Sequence, residues 1–182
     1  RVVVVAKIKL TKNEQKKQKD SLKQFNRYMP TLQLKKQQLQ TVIRQSYAEI
    51  EELKVKQKEA VEGMKSWIAV YGENSSWSEE RSISHLVKVK EVKKTKGNIA
   101  GVEVPVFQSL VFEDVPYDLR VYPLWVDKAI VALGEIARYD ALIETLKERI
   151  RLLDKELRTT TQRVNLFEKV KIPEAKENIR KI

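Results

Sequence analysis

The sequence predicts a mainly α protein: a long antiparallel two-helix coiled coil made by its N- and C-terminal parts, with a small β-hairpin head inserted between them. Three observations carry this. A stretch near each end of the chain repeats apolar residues in alternating steps of three and four. Between them lies a region in which apolar and polar residues alternate singly, the period of a strand. Only five Gly and five Pro occur in 182 residues, 34% of which are charged, so turns are few and elements long.

The first helix is expected over residues 11–71. Its seam is Leu22, Phe25, Met29, Leu32, Lys36, Leu39, Ile43, Ser46, Ile50, Leu53, Gln57, Ala60, Met64 and Trp67. Eleven of these fourteen are apolar, where the overall 42% would give about six. A stripe so narrow cannot bury itself alone and requires a second helix of similar length. Thr11 or Asn13 can cap the start, and Gly72 with the polar run from Glu73 to Ser76 ends it. Pro30 falls outside the seam beside Met29, which predicts a kink that leaves the stripe continuous.

Residues 72–122 form the connector and head of this single elongated domain. Ile83, His85, Val87 and Val89 alternate with polar residues, as do Val102, Val104 and Val106, giving a hairpin with Gly97-Asn98 at or near its turn. Pro105 cannot donate to a ladder, so one edge of its strand is unpaired. A two-stranded ribbon is marginal alone and must lean on the helices or on a partner.

The second helix is expected over residues 123–182, with Pro123 in its first turn. Ala129, Ala132, Ile136, Tyr139, Ile143, Leu146, Ile150, Leu153, Leu157, Thr160, Val164 and Phe167 make its seam. Beyond Phe167 the phase slips, and Pro173 predicts a kink. Facing Trp67 to Ala129 places Lys36 opposite Thr160 and Gln57 opposite Tyr139, matching polar intrusions to hydroxyls.

The chemistry of catalysis is missing from the pattern. There is no Cys, a single His, no glycine-rich phosphate loop and no paired metal ligands, so no enzyme activity, cofactor or metal is expected. Glu49, Glu51, Glu52, Glu144 and Glu148 sit among basic neighbours and suit solvated ion pairs. His85 suits a surface or packing position, and Trp67, Trp77 and Trp125 suit a small core at the junction of helices and hairpin. No apolar run approaches the eighteen or so residues of a membrane span, so no membrane insertion is expected, and a reducing, cytoplasmic setting fits the lack of Cys.

The formal charge of +11 is uneven. Residues 1–48 hold twelve Lys and Arg against Glu14 and Asp20, whereas the remainder holds 24 basic and 23 acidic residues. A concentration of one sign implies a partner of the other. Three function classes fit: a shaft within a larger machine, a hairpin chaperone of prefoldin type, and a binder of nucleic acid or an anionic surface. The last is weakened because Tyr28 is the only aromatic near the lysines that lies off the seam.

Several segments carry a family likeness. Lys9-Leu10-Thr11-Lys12-Asn13-Glu14, the run from Met29 to Lys36, the hairpin segment from Ile99 to Pro105, and the run from Arg163 to Lys169 with Ile172-Pro173-Glu174 resemble the D subunit of V-type (A/V-type) ATP synthases of the bacterial, chlamydia-like branch. The resemblance implies a non-catalytic central rotor stalk that transmits torque between a hexamer of A and B subunits and the ion-translocating ring. Its implied partners are the A and B subunits, the F subunit and the ring-linking C (or d) subunit, with no nucleic acid. Its implied place is the cytoplasmic face of a membrane, reached through the complex. On this reading Lys16, Lys17, Lys19, Lys23, Arg27 and Lys35 face the bore of the hexamer, and Val87, Val89, Val102 and Val104 of the hairpin head face a partner. Arg in place of Met at position 1, and an end at Ile182 where the family continues as helix, imply a piece of a longer polypeptide.

Overall fold

The computed structural model describes residues 8–72, 87–118, 120 and 126–182, with residues 67–72 described by their backbone alone. Helix α1 spans Lys12–Gly72, strands β1 and β2 span Val89–Ile99 and Val102–Phe112, and helix α2 spans Val126–Leu166. A π-helical turn, Phe167–Lys171, joins α2 to helix α3, Ile172–Lys181. The mainly α architecture with a hairpin between two long helices is the one expected. The expectations for His85, Trp77, Trp125 and Pro123 concern positions outside the described residues, and that for Trp67 concerns a side chain outside them. The chain divides into two compact units, unit 1 being residues 1–42 with 153–182 and unit 2 residues 43–152.

The start of α1 is fixed by Thr11, whose hydroxyl accepts the backbone N–H of Glu14 at 3.2 Å while its carbonyl accepts that of Gln15. The helix runs through Pro30 without ending, because the ring lies on the exposed side while the adjacent Met29 is buried. From Leu22 to Met64 every seam position is buried or half-buried, as the three-four pattern requires.

In unit 1 the helices run antiparallel. Gln18 accepts from the Asn178 amide at 3.4 Å, the Phe25 and Phe167 rings meet with centroids 5.2 Å apart, and the Lys35 ammonium reaches Glu156 at 2.6 Å. Leu39 and Leu153 are fully buried. The phase slip beyond Phe167 has a physical counterpart in the π turn. Ile172 donates its N–H to the carbonyl of Phe167, five residues back, so one extra residue is absorbed. Ile172 is thereby half-buried and Ala175 buried, in place of the Lys171 and Glu174 that an unbroken α-helix would carry into the seam.

In unit 2 the antiparallel core joins Ile50 to Ile143, Leu146 and Ile150, flanked by Ile43 and Leu53. The polar intrusion Gln57 is satisfied differently from the expected match with Tyr139. Its amide donates to the Ile136 carbonyl and the Asp140 carboxylate, and the Tyr139 hydroxyl donates instead to Glu135, one turn back. A seam amide flanked by a helix backbone and an acid needs no hydroxyl opposite.

The hairpin is antiparallel, and its turn is Ala100-Gly101, just beyond the Gly97-Asn98 pair expected at or near it. Ile99 pairs with Val102, and both central residues have positive φ (49° and 81°), as a two-residue hairpin loop with the twist of its strands requires. Asn98 stabilises the loop by accepting the Gly101 N–H at 3.0 Å. Gly97 belongs to β1 for a different reason: a Cβ there would stand 2.9 Å from a methyl of Val106.

The ribbon lies along a second face of α2. Phe112 approaches Gly134 closely enough that a Cβ on the glycine would meet the ring at 3.6 Å. Val89, Val92 and Leu110 border Ala137 and Ala141, and Val104 and Pro105 border Glu148 and Leu152. The small residues at 134, 137, 141 and 145 let the strands come near, and Thr145 is buried, its hydroxyl donating to the Ala141 carbonyl at 2.7 Å. Nothing in the three-four pattern of the seam marks this second stripe.

Candidate interaction surfaces

Besides an open hollow of about 710 Å³ lined by Phe112, Glu113, Tyr117, Ile130, Gly134 and Arg138, the described residues offer surfaces. Among them no group of His, Cys, Asp or Glu could hold a metal ion, and no helix is long and apolar enough to cross a membrane. The helix carboxylates form ion pairs on the surface: Glu51 with Lys54, Glu52 with Lys56, Glu144 with Lys147 and Glu148 with Arg151. The hydrogen bond and charge of Arg151 hold the Glu148 carboxyl below its ordinary range, and Arg180 does the same for Glu177.

The first surface belongs to unit 1. Its 72 residues hold 19 Lys and Arg against 7 Asp and Glu, while unit 2 holds 17 against 18. Lys16, Lys17, Lys19, Lys23 and Arg27 are all exposed on α1, and none makes an ion pair with another described residue. Their positions follow from the seam: Gln18, Leu22 and Phe25 turn inward, so the lysines between them turn outward. Lys35 differs from the rest of the expected set. It is half-buried and bonded to Glu156 across the helix pair, so its charge is satisfied within the chain.

The second surface is the hairpin. The four valines assigned to it are not equivalent: Val104 is 2% exposed, Val102 and Val87 are half-buried, and Val89 is 44% exposed. Val104 is therefore spent in the chain's own packing. The open face is β1, where Lys90, Lys93, Lys94 and Lys96 are exposed around Val92. Lys96 pairs with Glu103 across the ribbon at 2.8 Å, a bond that raises its pKa. This basic strand carries a signal in the sequence, the run Lys88 to Lys96, which an alternation of valines does not contain.

Comparison with known proteins gives one family. The model of the family described as the D subunit of ATP synthase matches residues 14–182. A protein from Borreliella burgdorferi, named as the D subunit of V-type ATP synthase, is 46% identical over 181 residues, covering 98% of this chain and 85% of that protein. Proteins of the same name from Chlamydia muridarum and Chlamydia abortus are 33% and 34% identical over 177 residues, covering 97% of this chain and 86% and 84% of theirs.

Proposed function

Since the chain belongs to the D-subunit family of V-type ATP synthases, we propose that it is the central rotor stalk of such a complex. The observation that carries this reading is the family match from residue 14 to 182, which takes in both helices and the hairpin. It favours this reading over the chaperone and nucleic-acid readings that composition left open. The chain does no chemistry with ATP; the A and B subunits do, and this chain couples their state to an ion-translocating ring. The F subunit and the ring-linking C (or d) subunit bind along it, and the hairpin head meets one of these. The complex holds it at the cytoplasmic face of the membrane.

Two physical properties suit the chain to this work. Side chains interlocked along a seam resist sliding of one helix on the other, so rotation applied at one place is felt at another. The exposed cations of unit 1 suit a bearing against an acidic bore, because charge attraction is long-ranged and undirected and no single angle traps the rotor. Small asymmetries of the surface then favour one state of each A–B interface over another by differential contact.

Replacing Lys16, Lys17 and Lys19 together by Glu tests the bearing. Assembly with A and B should weaken, and the loss should shrink as salt is raised. Assembly unchanged at low salt would contradict it.

A further inference from the structure

We infer that unit 1 contains a joint at the level of Phe25 and Phe167, about which its terminal segment bends relative to the rest of that unit. Both helices lose backbone hydrogen bonds there. Pro30 has no N–H for the carbonyl of Asn26, and its ring crowds that carbonyl. On the other helix Phe167–Lys171 is wound as a π turn, and Pro173, just beyond, withholds another donor.

The two irregularities stand side by side. The rings of Phe25 and Phe167 are in contact, tilted by 35°. Tyr28, Thr31 and Leu32, which flank Pro30, share a hollow of about 320 Å³ with Arg163 and Phe167. On either side the pair is closed again, by the Gln18–Asn178 bond toward the chain ends and by buried Leu39 and Leu153 with the Lys35–Glu156 pair in the other direction.

Each irregularity has a local reason: the proline sits on an exposed face, and the π turn brings Ile172 and Ala175 into the seam. Their coincidence is what makes a joint. A helix with a gap in its ladder is splinted by an unbroken neighbour, but here the neighbour is broken at the same level, while buried Met29 and Val164 keep the seam itself closed. The terminal segment can thus follow an off-axis partner without opening the seam on either side. This inference is independent of the rotor reading.

The chain has no native Cys, so spin labels can be placed freely. Labels at K19C and Q37C, both exposed, span Pro30, and labels at R44C and E62C span an equal length of α1 without proline. Electron–electron distance measurements on the full chain should give a distribution about twofold broader for the first pair, and P30A should narrow it to the width of the second. Equal widths in the unsubstituted chain would overturn the joint. So would a broad first distribution that P30A leaves unchanged, since that would assign the breadth to fraying from the chain end.

Discussion

Units 1 and 2 share the same helices and the same three-four step, yet they use the remaining helix surface differently. In unit 1 the faces outside the seam stay open, and most of their charge is positive. In unit 2 the charge balances, and a second face of α2, from Gly134 to Leu152, is covered by the ribbon. The lesson is that a heptad seam decides pairing and little else. What distinguishes the two units lies in the positions the seam leaves over.

The seam itself should be equally costly to damage in both. Leu39→Ala in unit 1 and Ile150→Ala in unit 2 each delete a buried side chain, and each should lose about 2–5 kcal/mol in denaturant unfolding. A loss much smaller in one unit would mean that its seam is not the main source of cohesion.

The second face should separate the units. Thr145→Phe adds a ring at a position of α2 that is already fully buried and should cost about 1–3 kcal/mol. Gln162→Phe, on an exposed face of unit 1, should stay within about 0.5 kcal/mol. Equal effects would show that the ribbon does not press on α2.

Glycine substitutions carry the opposite sign. Gly63 lies in the interior of α1 with nothing within 4 Å of an added Cβ, so Gly63→Ala should stabilise by about 1 kcal/mol. Thermal unfolding would register the gain.

The smallest effect is that of pH. Glu148 and Glu177 titrate below the ordinary value of 4.5 because Arg151 and Arg180 bond them. Carboxyls depressed in the folded state contribute stability fully above that value and lose it as pH falls through the folded pKa. Glu177→Gln should therefore lower the melting temperature slightly at pH 7 and leave it unchanged below the depressed pKa; because the pair is exposed, the shift will be slight.

The seam was legible in the sequence because burial along paired helices repeats every 3.5 residues, and so was its slip beyond Phe167, though not that a π turn absorbs it. The ribbon's place was not. Gly134, Ala137, Ala141 and Thr145 look like ordinary helix positions until something approaches them, and a stripe of small residues has no hydrophobic signature. The hairpin turn was legible only to within a few residues because Gly97-Asn98 resembles a turn pair, whereas that glycine is needed for clearance beside Val106 and that asparagine for bonding the loop. Of the cations assigned to a partner, Lys35 was separable only by seeing Glu156 opposite, across 121 residues of sequence.

The division of labour between the units can be tested in one measurement. Zero-length carbodiimide coupling joins lysines directly to carboxylates, so applied to the assembled complex it reports which lysines meet acids of other subunits. The account predicts that Lys16, Lys17, Lys19 and Lys23 couple to acidic residues of A and B. Coupling to A and B through the lysines of β1 alone, with those of unit 1 untouched, would contradict it.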